Sequence, residues 1–344
     1  MYILWNKEKA FPTAQEMKPI KGLRFVDVHT AIPGQYQFLL GCAVKEFCGT
    51  LYASWGNSYR FENDDNTICA QMTSADGGLT WQDYQRITRK DEGFGRSHGV
   101  YCAHNDTLYY FCPKARFKKI DGYPELKTEG YVLTENGFEC MGIVLEDDFW
   151  PMCEPIKTDE GTLLMAGLET DHAQAAVALC DGKDLRHWRM TVLPNPHNYK
   201  YWGETTVLKL KDKLLAIVRG GDDVPYALVS ESFDNGRTWS GLQQSNLPIS
   251  NSKMYAGTLS NGRNYLLFNA PSENYRETLC IALGDTTFDE IYLLRHGYAS
   301  PPKYWMNSEW CYPYACEANG NLYVVYARNK EDCELAILPI ESLS

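Results

Sequence analysis

The chain has 344 residues, of which 44% are hydrophobic, 22% charged and 13% aromatic; it can bury a large core, and disorder is excluded as its main state. Lys and Arg total 33 against 44 Asp and Glu, a formal charge of -11 that opposes the phosphate neutralisation nucleic-acid binding needs. No apolar run nears the roughly 18 residues of a membrane helix, and Met1-Tyr2-Ile3-Leu4-Trp5-Asn6-Lys7 lacks the apolar segment of a secretory signal, so the expectation is a soluble, cytoplasmic protein without membrane partners.

Short apolar or alternating runs, each entered through a small turn, recur along the chain: Thr50–Trp55, Thr107–Phe111, Thr162–Ala166, Lys213–Val218, Asn264–Phe268 and Asn321–Tyr326. Counted from residues 51, 108, 163, 214, 265 and 322, successive runs start 57, 55, 51, 51 and 57 residues apart. A period of this length built from strands signals a propeller, here with six blades. Before most runs stands another short strand that ends in a turn such as Asp159-Glu160-Gly161, Lys211-Asp212, Asn261-Gly262 or Asn319-Gly320, which is hairpin chemistry. Aromatic and β-branched residues crowd the runs, no 3.6-residue apolar period is sustained, and helices are expected to be few. The reading is one all-β domain over residues 1–344, with about the first 40 residues supplying closing strands to the last blade.

Twelve cysteines are present, and Cys42, Cys69, Cys102, Cys112, Cys153 and Cys280 sit singly in strand-like runs without C-x-x-C or metal-ligand spacing. They read as reduced, buried small hydrophobes, and neither a metal nor an organic cofactor is expected.

Two turns are sharper. Ser74-Ala75-Asp76-Gly77-Gly78-Leu79-Thr80-Trp81 and Ser232-Phe233-Asp234-Asn235-Gly236-Arg237-Thr238-Trp239 both read S-x-D-x-G-x-T-W, 158 residues or three blades apart, with a degenerate relative near Asp181–Trp188. Asp accepts backbone N–H bonds within such a turn, Gly takes the conformation closed to other residues, and Trp packs under the hairpin, so the motif is a folding device. It resembles the Asp box of the sialidase (neuraminidase) superfamily of six-bladed propellers, and the repeats cover nearly the whole chain.

That resemblance implies an active centre at the propeller axis: an acid that protonates the leaving oxygen, a Tyr nucleophile paired with a Glu, and three Arg residues that grip a substrate carboxylate. Glu62 stands twelve residues before Ser74, where the acid lies in the family, with Asp64 and Asp65 as rivals and a solvated acidic loop as the bland alternative. As the acid, Glu62 would need a partly desolvated setting. Tyr201-Trp202-Gly203-Glu204 followed fifteen residues later by Arg219 matches the paired base and an Arg of the clamp, Arg276 stands where the next Arg falls, and Tyr312 is preferred over Tyr314 as nucleophile. Structural ion pairs for the arginines and core packing for the tyrosines remain open.

The sequence also departs from the family. His29-Thr30-Ala31-Ile32-Pro33 carries Ala31 where the first clamp Arg belongs, which puts sialic acid in doubt as the substrate; His29, Arg24 and Arg96 are the candidates to compensate. Ser97-His98-Gly99 and Phe149–Glu154 open the second and third units, where side chains face the axis, so His98 and Glu154 join Arg219, Arg276, His29 and Tyr314 as substrate-binding candidates. The resemblance implies an exo-glycosidase acting on a terminal sugar, acidic or not, of a small glycan. A lyase or inverting hydrolase in the same pocket, and a non-catalytic carbohydrate-binding propeller, are the alternatives; the oligomeric state is not legible.

Overall fold

Short β-rich runs joined by tight turns leave each segment able to bond only with its chain neighbours, which builds antiparallel four-stranded meanders. The computed structural model describes residues 1–91, 93–117, 125–297 and 301–343. It contains six sheets, arranged as the blades of a β-propeller, four with four strands and two with five because the inner strand is split in two. Each of the six runs singled out in the sequence is the second strand of its blade: Thr50–Ser58, Thr107–Ala115, Leu163–Glu169, Leu214–Val218, Asn264–Ala270 and Asn321–Arg328. The described helix is a short 3-10 turn, Ile340–Leu343. Among the described residues no helix is long and apolar enough to cross a membrane.

The sixth blade is assembled from both ends of the chain. Arg24–His29 pairs antiparallel with Asp332–Pro339 and forms the outermost strand beside Trp310–Ala318 and Asn321–Arg328. Ahead of it, the first residues run along the outer edges of blades four and five, where Tyr2 bridges Ser245, Trp5 bridges Phe288 and Lys18 bridges Tyr292. An exposed strand edge invites foreign pairing, and this arm covers two of them.

The Asp boxes close hairpins on the third strands of blades one and four. Asp76 accepts from Ser74 Oγ at 2.8 Å, Leu79 N at 3.0 Å and Thr80 N at 2.9 Å, and Trp81 Nε1 donates to Gly78 O at 3.1 Å. Asp234 and Trp239 repeat the pattern, and Trp188 Nε1 makes the equivalent bond to Leu185 O at 2.9 Å. Satisfied locally in this way, the Asp residues serve the turns, as their sequence context predicts.

The innermost strands lie at the axis, and several are interrupted. Pairing slips between Leu40 and Ala43 in blade one and between Cys311 and Tyr314 in blade six. In blade two the inner strand breaks between Arg96 and Val100, and in blade three between Pro151 and Ile156. A bulge turns side chains that would otherwise alternate, and here the breaks stand beside the site.

Candidate functional site

A cavity of about 530 Å³ opens at the end of the axis where the inner strands begin. Blades two and three give it an apolar wall of Phe117, Leu126, Trp150, Met152 and Leu168, while Glu62, Glu204, Arg219, Arg276, Tyr312 and Lys330 form a charged wall opposite. Of the residues singled out in the sequence, the structure gathers Glu62, Glu204, Arg219, Arg276, Tyr312 and His98 around this one space.

The centre is a buried triad. Tyr312 Oη donates to Glu204 Oε1, Arg219 Nη1 pairs with Glu204 Oε2, and Arg219 Nη1 lies 3.3 Å from Tyr312 Oη. Glu204 precedes the inner strand Thr205–Lys209 of blade four and Arg219 follows the strand beside it, Leu214–Val218, so backbone pairing, continued by Arg219 N donating to Glu204 O at 3.0 Å, sets them facing each other. Tyr312 sits in the blade-six bulge with φ of 58°, in the left-handed region a side chain enters at a cost of about 1–3 kcal/mol. Arg276 is held the same way, with φ of 50°. Such strain persists only where surrounding contacts over-determine it.

Those contacts are explicit. Arg276 Nη1 pairs with Glu309 Oε2 at 2.8 Å, and its Nε and Nη2 donate to Asn251 O at 3.1 and 3.0 Å. Asn251 Oδ1 in turn accepts from Arg219 Nε at 2.6 Å, tying both guanidinium groups to one loop. The Arg276 guanidinium stands 5.5 Å from the Tyr312 ring centre and 4.6 Å from that of Tyr275, and Arg219 lies 5.2 Å from the Trp202 ring. Below the bulge the buried Lys253 donates to Pro313 O at 3.2 Å.

Electrostatics assign protonation states. Burial raises the Glu204 carboxyl, but the Arg219 charge and the bonds from Tyr312 and Arg219 outweigh it and hold Glu204 below the usual carboxylate range, ionised. Burial, helped by Glu204, pushes the Tyr312 phenol well above its ordinary value against the pull of Arg219 and Arg276. The pair is therefore a neutral phenol bonded to a carboxylate that can take its proton. His98 packs edge-on to Tyr312 at 5.9 Å and against Trp150 at 4.9 Å. Burial, then the charge of Lys253, lowers it to about 3, so the imidazole is neutral; its Nε2 has no partner among the described residues.

Glu62 lies on the loop after the second strand of blade one, and its Oε2 pairs with Lys330 Nζ at 2.9 Å. It faces an ammonium there and keeps a third of its side-chain surface open, where the sequence led us to expect a partly desolvated carboxyl. Its rivals serve the loop: Asp65 Oδ1 accepts from Phe117 N at 2.6 Å, and Asp64 Oδ1 from Asn66 N at 3.3 Å.

Three candidates lie elsewhere. His29 is on the outermost strand of blade six, stacked on Trp55 at 5.0 Å beside a lateral pocket with Tyr36 and Tyr84, because an outer strand cannot reach the axis. Glu154 pairs with Lys45 at 2.8 Å in a separate cavity of about 350 Å³ at the end of the axis where the inner strands finish. Tyr314 is core, packed on Tyr255 at 4.3 Å, since the bulge turns Tyr312 to the cavity and leaves its neighbour beneath. None of the three proposed substitutes for the missing Arg, His29 included, lines the cavity. Arg96 is spent on Glu129 and Asp91 at 2.9 and 2.7 Å, and Arg24 is exposed on the outer strand. The cation sequence reasoning missed is Lys330, in the hairpin turn Asn329-Lys330 of blade six, a position no local pattern marks; Glu309, Asn251 and Trp202 were missed likewise. Among the described residues one acidic cluster, Glu169, Asp171 and His172, has donor atoms close enough to share a cation, but the Glu169 carboxylate already accepts from the backbone N–H groups of the other two.

Six blades, Asp boxes and an axial Tyr–Glu–Arg cluster define a sialidase-like propeller. A model of the BNR repeat-like domain matches residues 134–324, and the chain belongs to that family. No curated protein matches the sequence. Among solved structures, the fold is similar to a protein of unknown function from Dyadobacter fermentans, with a TM-score of 0.73 at 16% identity over 93% of this chain and 100% of that one. It is also similar to a mutant of Trypanosoma rangeli sialidase displaying trans-sialidase activity, with a TM-score of 0.72 at 15% identity over 95% of this chain and 60% of that one. A Hadza microbial sialidase gives 0.72 at 13% identity, over 92% and 69%. The chain thus spans about three fifths of the trypanosomal protein, and at these identities the likeness carries the fold.

Proposed function

We propose that the chain is an exo-acting glycoside hydrolase that removes a terminal acidic sugar from a small glycan. The observation that carries the reading is the hydrogen bond from the buried Tyr312 Oη to the ionised Glu204, with Arg219 against both. A sugar whose anomeric carbon bears a carboxylate repels an anionic nucleophile, and a phenol that stays neutral until attack avoids that repulsion. In the proposed reaction Tyr312 Oη bonds to the anomeric carbon as its proton passes to Glu204, while Glu62 gives a proton to the departing glycosidic oxygen. Water then breaks the tyrosyl–sugar bond, its proton going to Glu62 and the phenol recovering its own from Glu204. Arg219 and Arg276, each held on a buried carboxylate, keep the site positively charged, and the apolar wall receives the non-polar face of the ring.

Structures of the Trypanosoma rangeli enzyme are described in complex with sialic acid and with the inhibitor DANA, which supports an acidic sugar here. A panel of aryl glycosides of sialic, uronic and neutral sugars tests the reading. Turnover of an acidic member by the wild type, lost in Tyr312→Phe, is the expected result; undiminished turnover in that variant removes Tyr312 from the chemistry.

A further inference from the structure

Among the described residues three cations line the cavity, and they are not equally committed. Arg219 and Arg276 are bonded to Glu204 and Glu309, carboxylates whose side chains are 8% and 0% exposed. Lys330 is bonded to Glu62, whose side chain is 34% exposed, so this pair alone of the three opens toward solvent and a ligand. Its backbone is fixed, since Leu39 N donates to Lys330 O at 2.7 Å, while the flexible stem carries the ammonium past the Trp305 ring at 5.0 Å.

We infer that Lys330 is the specificity-determining cation of this site: it exchanges Glu62 for the anionic group of an incoming sugar, and Glu62, left without its counter-charge, takes up the proton it later delivers to the leaving oxygen. This rests on the proposed glycosidase reading. The exchange trades one carboxylate partner for another and so costs little charge, whereas breaking the Arg219 or Arg276 pair strands a buried acid. Around Glu62 stand Asp64 and Asp65 on its own loop and the Tyr312 phenol across the cavity, whose proton is held more tightly by the Glu62 charge. Around Lys330 stand Glu309 and the Cys311 thiol; burial lowers its ammonium, and Glu62 with these groups more than restores it, so the lysine arrives charged. Once the anion holds the ammonium, Glu62 is left beside a negative charge without its counter-ion, and a proton from solvent on Glu62 relieves the conflict. The arrangement links recognition to acid catalysis: a neutral sugar leaves Lys330 on Glu62 and the acid unloaded.

The test is calorimetric titration with N-acetylneuraminic acid and D-glucuronic acid, each against its methyl ester, in two buffers of different ionisation enthalpy. The wild type should bind one of the acids about ten- to a hundredfold more tightly than its ester, with uptake approaching one proton per site near neutral pH. Lys330→Met should abolish both the preference and the uptake, and Lys330→Arg should keep the preference. A preference that survives in Lys330→Met, or acid binding without proton uptake, overturns the inference. If the wild type turns over glycosides but binds esters as well as acids, the role of Lys330 is wrong and the glycosidase reading stands. If no glycoside is cleaved while the acid preference still depends on Lys330, the glycosidase reading fails and Lys330 remains an anion receptor.

Discussion

Gly41 lies in the bulge of the first inner strand with φ of 66°, and a Cβ placed there would come within 1.9 Å of His98 Cγ and 2.2 Å of Cδ2. The His98 ring cannot simply retreat. Its backbone is blocked by Gly56, where a Cβ would meet His98 N at 2.7 Å, its carbonyl accepts from Trp150 Nε1 at 3.0 Å, and its far edge meets Tyr312. Gly41→Ala therefore incurs about 1–2 kcal/mol for a left-handed alanine and about 1–3 kcal/mol for overpacking, roughly 2–5 kcal/mol in all. Because the displaced ring presses on Tyr312, turnover should fall as well. Gly34→Ala is the control: its φ of 77° brings the same backbone strain, but a Cβ there meets nothing within 4 Å. Denaturant melts and initial rates on the two variants separate the contributions. Equal stability and equal rates for the pair would refute the claim that the Gly41 gap exists to seat His98 beside the phenol.

Other expectations are independent of the reaction. Asp76→Ala should lower the melting temperature without changing turnover per folded molecule; hydrogen bonds from Thr80 and Ser74 hold the Asp76 carboxyl down to about 2, so its stabilisation is present above the unfolded-state value near 4 and is lost as pH falls toward 2. Arg96→Met leaves the buried Glu129 to Arg89, at 2.7 Å, and the Tyr131 hydroxyl, and should cost about 1–3 kcal/mol of stability in a denaturant melt, while rates per folded molecule stay unchanged because Arg96 does not line the cavity. All twelve cysteines are free, and only Cys48 and Cys140 are exposed, so a thiol reagent should label two groups in the native protein and twelve in denaturant.

The blade count was legible because the second strands repeat with a near-constant period and because the Asp box packs its own bonding into eight residues. The candidate site was legible where a residue is tied to strand spacing: Glu204 and Arg219 face each other because a hairpin joins them. Where strand alternation breaks, the sequence singled out Tyr312 but did not place Tyr314, which joins the core. Tyr312 and Tyr314 are two apart and belong on one face of a regular strand, and only the bulge with its left-handed Tyr312 separates them. Glu154 does face the axis, but from the far end of its inner strand, a distinction of height that periodicity does not carry. Lys330 enters the cavity from a hairpin turn by virtue of blade closure, a contact between chain positions 268 residues apart.

The claim on which the account turns is that Tyr312 Oη attacks the sugar, and the direct measurement is capture of the covalent species. Incubation with a 2,3-difluoro sugar acid that the wild type accepts, followed by digestion and mass spectrometry, should show one added glycosyl residue on the peptide carrying Tyr312, and none in Tyr312→Phe. A label found on Glu204 or Glu62 instead, or an active enzyme that turns the same reagent over with Tyr312 replaced, would contradict it.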